Sequence, residues 1–214
     1  MNINFATNVL LIWPGRKAID ITLIKEMVDN GLEIIEYRPY ANQSKDSIIR
    51  ALIQLKKNVK IVLINNEIHL MKYCDGVWVG ESDMSIPEIK KMSDFNDSVL
   101  IGKTVKNLNQ FDFAARHNAS MIGVGAIFKS QTKQDAKLSH WSLIQEIVNK
   151  SKKPAYLVGG LSIASLNLFL KNCNIENLRI AVSSAVLKSS SPARAFADLN
   201  SFVVEYRAKK NKQP

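Results

Sequence analysis

Short apolar runs recur along the 214-residue chain, and each is followed by a longer segment with helical spacing. The runs are continuous and rich in β-branched residues, which is typical of strands that are covered on both faces. A repeated strand-then-helix order predicts parallel pairing, and eight such units favour a closed α/β barrel, the (β/α)8 or TIM barrel. The eight predicted strands lie near residues 8–13, 32–37, 60–64, 76–79, 98–101, 120–124, 154–158 and 178–182.

A doubly wound open sheet is the alternative that the same alternation allows. Such a sheet usually places a glycine-rich turn after its first strand. Here that turn reads WPGRK, at residues 13–17, and contains a single glycine. We therefore favour the barrel, and we expect one barrel domain over residues 1–206, followed by a basic C-terminal tail, RAKKNKQP, over residues 207–214.

Helix boundary signals agree with this order of elements. After the first predicted strand, Ile21, Ile24 and Val28 recur at intervals of three and four residues, and Gly31 supplies a left-handed stop. The last predicted helix begins in SPARAFADLNSFV, residues 191–203, where a serine N-cap precedes a proline at the first helical position. We expect this helix to close the fold.

The formal net charge of +10 allows three interpretations: nucleic acid binding, an anionic substrate, or a lysine-rich surface. Many lysines lie in segments that we expect to be helix exteriors, and the sequence contains no zinc finger, RNP-type aromatic pattern or basic heptad. Nucleic acid is therefore not an expected partner. We expect phosphorylated small molecules as partners, and the sequence leaves a homodimer open.

The longest apolar runs, such as VKIVLI, are far shorter than the roughly 20 residues that a membrane-spanning helix requires. The sequence begins without a signal-peptide pattern, so we expect a cytoplasmic protein with no membrane partner. Cys74 and Cys173 lie far apart in apolar segments without zinc-type spacing, and we expect both to be reduced, packed thiols.

In a barrel of this kind, chemistry sits on the loops after the carboxyl ends of the strands, and phosphate is often held after strands seven and eight. The seventh predicted strand is followed by VGGLS, where Gly159 and Gly160 would let backbone N–H groups approach an anion and Ser162 could cap the next helix. Ser183 and Ser184 follow the eighth strand in AVSSAV. Each motif alone is weak, but their joint placement predicts a phosphate site.

The loop after the sixth predicted strand adds hydroxyl groups and a lysine at the same rim. In GVGAIFKSQTKQDA, residues 123–136, the strand ends at Val124, and Ser130, Thr132 and Lys133 lie in the loop that follows. Two hydroxyl donors and one ammonium group suit phosphate oxygens. We therefore expect this loop to contact an anionic ligand.

Several blocks of the sequence resemble the thiamine phosphate synthase family. GAIFKSQTKQDA resembles that family's Gly-Pro-Val-Phe-Pro-Thr-x-Thr-Lys-x-Asp-Ala, and DGVWVGESDM, residues 75–84, resembles its Asp-Gly-Val-His-Leu-Gly-Gln-Glu-Asp-Leu. LINNE, LVGGLS and AVSSAV resemble further blocks, and the likeness covers roughly residues 30–205. Because the blocks recur in the family's order and spacing, the resemblance is more specific than any one motif.

The resemblance implies a transferase that joins hydroxymethylpyrimidine diphosphate to a thiazole phosphate, giving thiamine phosphate and pyrophosphate. If the bond to the diphosphate breaks before attack, negative charge builds on the leaving group, so fixed cations and Mg²⁺ should surround it. Neutral or acceptor groups should face the pyrimidine. Little acid–base machinery is required.

The same resemblance implies a role for each residue that matches a family motif. The residues with implied catalytic roles are Arg38 and Lys133. The positions implied to bind the pyrimidine diphosphate are Glu36, Arg38, Tyr40, Asn65, Thr104 and Lys133. Those implied to bind the thiazole phosphate are Ser130, Gln131, Thr132, Gly160, Ser183 and Ser184. The implied magnesium ligands are Asp83 and Asn66.

Some positions depart from the family pattern. Asn66 stands where the family has the aspartate of its Asn-Asp pair, so a neutral amide replaces one magnesium carboxylate and metal affinity should fall. In the family's Gln-x-Arg-x-Lys block this chain has Glu36 for glutamine and Tyr40 for lysine, which leaves the expected pocket poorer in positive charge. Ala126 stands where the related thiazole tautomerases have a histidine, which argues against that branch.

Three functions stay open. The first is an active thiamine phosphate synthase, and the second is a catalytically weakened relative that binds a phosphate ligand as a sensor or carrier. Asn66 and Tyr40 bear on the choice between these two, which pyrophosphate release with and without Mg²⁺ would decide. The third is another phosphate-handling barrel enzyme, such as a sugar-phosphate isomerase or epimerase, which would need a base at two strand ends; Glu36 and Asp83 are the candidates.

Overall fold

Eight parallel strands close into a barrel in the computed structural model, which describes residues 7–129 and 138–212. Strand order in the barrel follows the chain, and the ring closes where Val9 of the first strand lies opposite Ile180 of the eighth. The strands are β1 Val9–Pro14, β2 Ile34–Arg38, β3 Ile61–Asn65, β4 Gly76–Val79, β5 Leu100–Val105, β6 Met121–Val124, β7 Ala155–Val158 and β8 Ile180–Val182. Each strand overlaps one of the predicted apolar runs, although β5 begins two residues later than predicted and continues four residues beyond the run at 98–101, and the predicted TIM barrel is confirmed.

Helices follow the strands along the chain and cover the outside of the barrel. They are α1 Ile21–Asp29, α2 Lys45–Lys56, α3 Ile86–Lys90, α4 Leu108–Arg116, α5 Trp141–Lys150, α6 Ile163–Asn172, α7 Ser184–Leu187 and α8 Pro192–Lys210. A 3₁₀ helix, Ile68–Tyr73, joins β3 to β4. Across residues 7–129 and 138–212, no helix combines the length and the hydropathy that crossing a bilayer requires.

Successive side chains of each strand alternate between the barrel interior and the layer of helices. The interior is filled by one buried cluster, which contains Leu10, Ile12, Ile34, Ile61, Leu63, Trp78, Leu100, Met121, Tyr156 and Ala181. Outward-facing neighbours, such as Leu11, Ile35 and Ile64, belong to the larger cluster between sheet and helices. Because the interior is a packed core, ligands are expected at its ends rather than in its middle.

The helix boundary signals in the sequence are confirmed for α1 and α8. Asp20 caps α1 by accepting a hydrogen bond from the Leu23 N–H at 3.0 Å, and Gly31 follows the helix with φ of +92°. Ser191 is the N-cap of α8, and Pro192 is its first residue. Since α8 packs against α1 and β1, the last helix closes the outer layer beside the first.

The boundary expected at residue 207 is not where the last helix ends, because α8 continues to Lys210. Arg207 donates a hydrogen bond from Nη1 to Asn8 Oδ1, and Lys210 donates one from Nζ to Asn174 Oδ1. Both partners lie on segments distant in sequence. These bonds hold the basic end of α8 against the barrel, so the first residues of the expected tail belong to the folded structure.

Both cysteines lie in the cluster between sheet and helices as free thiols. Burial raises the pKa of the Cys74 thiol to about 11, and the hydrogen bond that its Sγ donates to the Gly76 carbonyl, at 3.1 Å, opposes this shift only in part. Burial also raises the pKa of Cys173. The thiolate is the reactive form of cysteine, so the raised pKa and the burial both lower the reactivity of these thiols.

We expect a chromogenic disulfide reagent at pH 8 to label neither cysteine in the folded protein and both after unfolding in guanidinium chloride. At that pH, below the raised pKa of Cys74, the neutral thiol predominates, and both sulfurs are covered by the core. Absorbance of the released reagent counts the labelled thiols. Rapid labelling of either cysteine while circular dichroism reports the native fold would contradict the burial of that residue.

Candidate active site

Polar side chains from neighbouring strands meet at the mouth of the barrel, at the carboxyl ends of the strands. In β2, the two-residue period that points Ile34 into the barrel also points Glu36 and Arg38 inward. In β3, Asn65 is the last residue of the strand and follows the same inward face. Thr104 lies near the end of β5. The parallel arrangement therefore brings these predicted residues to one end of the barrel.

Glu36 and Arg38 form an ion pair inside the mouth. The Nε and Nη2 atoms of Arg38 both donate to Glu36 Oε1, at 3.0 and 2.8 Å. The Glu36 side chain is 1% exposed, whereas 38% of the Arg38 side chain is exposed. A buried carboxylate is costly unless it is paired, so Glu36 holds the guanidinium in place. A diphosphate at Arg38 would therefore meet a cation whose charge is already partly balanced.

Tyr40, which stands in place of the family's lysine, follows the end of β2 and is 41% exposed. The guanidinium carbon of Arg16 lies 5.9 Å from the centre of the Tyr40 ring, in a cation–π contact. Arg16 belongs to the turn after β1, which is joined to β2 by a hydrogen bond of 2.7 Å from the Gly15 N–H to the Arg38 carbonyl. A cation from a different loop thus stands beside the residue that replaced the lysine. No motif in the sequence points to Arg16, which lies in the turn WPGRK at a strand end.

Asn65 and Asn66 both bind the carbonyl of Trp78 in β4. Asn65 Nδ2 donates to this oxygen at 3.3 Å, and the backbone N–H of Asn66 donates to it at 3.0 Å. Asn66 is exposed and has φ of +64°, a left-handed conformation that asparagine tolerates better than most residues. These bonds fix the end of β3 to β4, and they leave the Asn65 amide oxygen as an acceptor for a ligand.

Asp83 lies in the loop after β4. Two lysines contact this loop, one from β5 and one from the segment that follows β5. Asp83 Oδ2 accepts a hydrogen bond from the Gly80 N–H at 2.5 Å, and the Gly80 carbonyl accepts one from Lys103 Nζ. Lys106 Nζ lies 2.9 Å from Glu81 Oε2. Desolvation lowers the pKa of the buried Lys103 ammonium, although Asp83 and Glu81 oppose the shift. The carboxylate expected to bind a metal therefore has a cation nearby, on a strand that no sequence motif connects with it.

The two predicted magnesium ligands, Asp83 and Asn66, offer one carboxylate and one amide. Within residues 7–129 and 138–212, no group of three or more His, Cys, Asp or Glu side chains is placed to hold a metal ion. Lys103 lies near Asp83. Mg²⁺ is commonly bound by one or two carboxylates together with substrate phosphates and waters. The donor set suits an ion that arrives with a diphosphate better than a resident ion.

Thr104 lies beside the large aromatic side chain of Trp78, which was not among the predicted site residues. Trp78 points into the barrel, and its Nε1–H donates to Thr104 Oγ1 at 3.0 Å. Gly102 and Gly123 make room for the indole, because a Cβ atom on either would lie 2.3 or 2.6 Å from its ring atoms. The sequence shows a glycine on each of two consecutive strands. That both glycines face Trp78 becomes evident only from the register of the barrel strands.

The glycine and serine turns after β7 and β8 lie at the same end of the barrel. These strands are neighbours, with Val158 opposite Ala181, so Gly160 and Ser183 follow adjacent strand ends. Gly159 and Gly160 have φ of +104° and +62°, which glycine adopts without strain. The structure therefore brings together the two turns from which the sequence predicted a phosphate site.

Hydrogen bonds tie the Gly-Gly turn to the helix that follows. Ser162 caps α6 as expected, with its Oγ accepting from the Ser165 N–H at 3.2 Å. Ser165 Oγ donates to the Gly160 carbonyl at 3.1 Å. In the next turn, Ser183 is the N-cap of α7 and Ser184 its first residue. The first N–H groups of a helix lack intrahelical partners, so helix starts of this kind suit an anion.

Four predicted site residues lie outside the described residues: Ser130, Gln131, Thr132 and Lys133. Their roles stay predictions. The last described residue before them is Lys129, and a Cβ atom added to Gly160 would lie 2.5 Å from the Lys129 carbonyl oxygen. The loop after β6 therefore passes directly beside the Gly-Gly turn as it approaches the predicted phosphate-binding segment.

Comparison with known proteins assigns the chain to a family. The family described as thiamine monophosphate synthase matches residues 10–186, which is most of the chain. The chain belongs to this family. A thiamine-phosphate synthase of Fusobacterium nucleatum is 32% identical over 160 residues, which are 72% of this chain and 76% of that protein. A thiamine-phosphate synthase of Methanobrevibacter smithii is 28% identical over 194 residues, or 88% of this chain and 89% of that protein.

Solved structures support the barrel fold of this thiamine monophosphate synthase family member. A thiamine phosphate pyrophosphorylase from Pyrococcus furiosus superposes with a TM-score of 0.77 at 21% identity, covering 92% of this chain and 96% of that chain. An orotidine 5'-monophosphate decarboxylase from Sulfolobus solfataricus superposes with a TM-score of 0.64 at 13% identity, covering 93% and 98%. At these identities the structures show the fold alone.

Restoring glutamine at position 36 of this thiamine monophosphate synthase family member is expected to strengthen diphosphate binding. Glu36→Gln removes the carboxylate charge and leaves the Arg38 guanidinium to pair with a ligand. We expect the Kd for inorganic pyrophosphate, measured with Mg²⁺ by isothermal titration calorimetry, to fall about tenfold, as for one hydrogen bond to a charged group.

Glu33→Gln is the matched control for this substitution. Glu33 precedes the first residue of β2 and pairs with Lys60 at 3.1 Å, at the opposite end of the strand from the mouth. It should leave pyrophosphate binding unchanged. Unchanged or weaker binding in Glu36→Gln would show that the ion pair does not hold Arg38 back from the ligand.

Proposed function

We propose that this protein is a thiamine phosphate synthase, which transfers a hydroxymethylpyrimidine group from its diphosphate to thiazole phosphate and releases pyrophosphate. The observation that carries the proposal is that membership of the family over residues 10–186 coincides with a polar mouth at the carboxyl ends of the strands. Arginines lie on the β1 and β2 side of this mouth, and glycine and serine turns lie on the β7 and β8 side. The two sides suit two phosphorylated substrates.

Two arginines would stabilise the charge that builds on the leaving diphosphate. Arg38 would exchange part of its pairing with Glu36 for diphosphate oxygens, and the exposure of its side chain leaves room for that exchange. Arg16, beside Tyr40, would supply part of the charge that the missing lysine provides in the family. Cations placed beside a developing negative charge stabilise it and so lower the barrier. Lys133 is predicted to add a third cation.

The transfer itself needs little help from acids or bases. The carbon–oxygen bond to the diphosphate breaks with its electron pair leaving on pyrophosphate, and the thiazole nitrogen forms the new bond to the pyrimidine methylene carbon. The nitrogen attacks with its lone pair, so no proton has to be removed first. Asn65 and Thr104 would contact the pyrimidine with neutral groups, which add no charge beside the cationic methylene.

The thiazole phosphate would bind the turns after β7 and β8. Backbone N–H groups near Gly160 and at the start of α7 suit an anion, and serine hydroxyls can add further donors. The residues proposed for this subsite are Gly160, Ser183 and Ser184, with Ser130, Gln131 and Thr132 from the loop after β6.

Mg²⁺ fits this scheme as an ion that binds together with the diphosphate. Asp83 would hold it through its carboxylate and Asn66 through its amide oxygen, and the diphosphate would supply the remaining charge. When bound, the ion neutralises negative charge on the phosphate oxygens. Because Asn66 contributes no charge, the site should bind Mg²⁺ less tightly than a site with two carboxylates.

The expected partners are the two phosphorylated substrates rather than nucleic acid or a membrane. The basic balance of the chain fits a lysine-rich surface, since surface lysines such as Lys56 and Lys150 are paired with Asp75 and Glu146. We place the protein in the cytoplasm, which the two free thiols support because reduced cysteines are typical of that compartment.

The proposal is tested by incubating the protein with hydroxymethylpyrimidine diphosphate, thiazole phosphate and Mg²⁺. We expect thiamine phosphate and pyrophosphate in equal amounts, and neither when one substrate is omitted. Arg38→Ala alone would leave Glu36 buried without its partner and would lower stability as well as turnover. The double variant Glu36→Gln, Arg38→Gln removes the pair together and should lower kcat/KM roughly 10- to 100-fold with the fold intact.

Thiazole phosphate binding without any product would contradict the synthase proposal and favour a phosphate-binding relative. Calorimetry with thiazole phosphate alone separates that result from a protein that binds neither substrate. Wild-type kcat/KM in the folded double variant would show that Arg38 does not contact the leaving group.

Restoring the family's aspartate at position 66 is expected to strengthen Mg²⁺ binding. Asn66→Asp replaces a neutral oxygen ligand with a carboxylate, and aspartate tolerates the left-handed backbone nearly as well as asparagine. The Mg²⁺ concentration for half-maximal activity should fall by about tenfold. Asn118→Asp is the matched control, because Asn118 has φ of +55° but lies between α4 and β6, at the amino end of the barrel. An identical magnesium titration for wild type and Asn66→Asp would exclude position 66 from the metal site.

A further inference from the structure

Trp78 lies inside the mouth, on the strand between those that carry Asn65 and Thr104. β4 pairs with β3, where Asn65 lies opposite Trp78, and with β5 on its other side. Trp78 is 4% exposed and belongs to the interior cluster. The family block that this segment resembles has a histidine at the same position. The larger ring is accommodated by the chain's own Gly102 and Gly123, whose missing side chains leave the space that it occupies.

The hydrogen bond between Trp78 and Thr104 occupies a lone pair of the threonine oxygen and leaves its proton for another partner. An indole N–H is a donor only, so the Thr104 oxygen must accept the bond of 3.0 Å. A hydroxyl group has one proton to donate, and that proton is then directed to another partner. Thr104 is partly exposed at the mouth. It is therefore poised as a hydrogen-bond donor to a ligand.

The backbone of Trp78 has the complementary effect on Asn65. The Trp78 carbonyl accepts from Asn65 Nδ2 at 3.3 Å, which commits the amide nitrogen to the protein. The Asn65 oxygen is then the atom that can serve a ligand. Through these two bonds, Trp78 leaves the Thr104 hydroxyl on β5 as a donor and the Asn65 amide oxygen on β3 as an acceptor. Both groups are neutral.

We propose that Trp78 is a positioning and specificity-determining residue for the pyrimidine ring: its indole acts through the Thr104 hydroxyl, and its backbone carbonyl holds the Asn65 amide. The inference rests on the proposed function. An aminopyrimidine carries ring nitrogens that accept hydrogen bonds and an amino group that donates one, which complements the pair of groups that Trp78 orients. The partners proposed for the diphosphate are Arg16 and Arg38, which lie in the turn after β1 and on β2 rather than on β3, β4 or β5. Trp78 should therefore affect binding of the ring and leave binding of the diphosphate alone.

The test compares two probes by calorimetry, hydroxymethylpyrimidine diphosphate and inorganic pyrophosphate, each with Mg²⁺. Trp78→Phe keeps an aromatic ring and removes the N–H. We expect it to raise the Kd for the pyrimidine diphosphate about three- to tenfold, as for one lost hydrogen bond, and to leave the Kd for pyrophosphate unchanged. Thr104→Val should have a similar effect. The double variant should be no worse than Thr104→Val, because Trp78 acts through the same hydroxyl.

Tyr156→Phe is the matched control. Tyr156 is also buried in the interior cluster, and its hydroxyl is hydrogen-bonded to Thr7 Oγ1 at 2.5 Å, near the amino end of β1 and away from the mouth. This variant should bind both probes as the wild type does. Equal weakening of both probes by Trp78→Phe, no change for either, or additive effects of Trp78→Phe and Thr104→Val would each overturn the inference.

A second test uses NMR on proteins that retain Trp78, so its result does not depend on whether Trp78→Phe folds correctly. The chain has three tryptophans, so its ¹H–¹⁵N spectrum carries three indole signals, which Trp13→Phe and Trp141→Phe assign by elimination. Thr104→Val should shift the Trp78 indole signal upfield because the acceptor is lost, whereas Thr104→Ser, which keeps the hydroxyl, should leave it nearly in place. An unmoved Trp78 signal in Thr104→Val would overturn the inference.

Failure of the proposed function has a different signature from failure of this inference. Neither the calorimetry nor the spectra require turnover. Selective weakening of the pyrimidine diphosphate by Trp78→Phe, without any thiamine phosphate from the wild type, would refute the synthase proposal and support the role of Trp78. If the wild type forms thiamine phosphate but wild type and Trp78→Phe bind the pyrimidine diphosphate equally well, the synthase proposal is supported and the role of Trp78 is refuted.

Discussion

Closure of the eight-strand parallel sheet decides which side chains can reach the mouth. In a closed barrel every second residue of a strand faces the interior, and only the last inward positions meet solvent. In β2 these positions fall on Glu36 and Arg38. A carboxylate at position 36 has no access to water, so it must bind the arginine two residues on. The ion pair in the mouth is thus a consequence of strand period and barrel closure together.

Positive charge at the mouth comes from more than one strand end. The position of the family's lysine is taken by Tyr40, and the nearby cation is Arg16 from the turn after β1. On the other side, Lys103 from β5 binds the loop that carries Asp83. The charge that the substitutions at positions 36 and 40 remove is partly replaced by cations from neighbouring loops. This distribution is compatible with a diphosphate in the mouth, although the partners differ from the family pattern.

The sequence predicted the strands and the rim well because both depend on local patterns. Apolar runs, Gly31 and Pro192 carry their meaning within a few residues. The errors and omissions depend on contacts between distant segments. The basic composition around Arg207 suggested a tail. In the structure Arg207 is helical and bonded to Asn8, which lies 199 positions away in the chain, and a local pattern does not contain such a contact. The contact between Trp78 and its glycines likewise requires the register of three strands, which no local pattern contains.

The proposed function requires that two anion subsites lie at one mouth of the barrel. The most direct test of this requirement is a crystal structure with thiamine phosphate, pyrophosphate and Mg²⁺ bound. We expect the phosphate of thiamine phosphate to lie within hydrogen-bonding distance of Gly160 and Ser184. The pyrophosphate should lie against Arg38, with the guanidinium turned at least partly away from Glu36. Binding of either anion at the amino-terminal end of the barrel, or an intact Glu36–Arg38 pair with pyrophosphate held elsewhere, would contradict this arrangement.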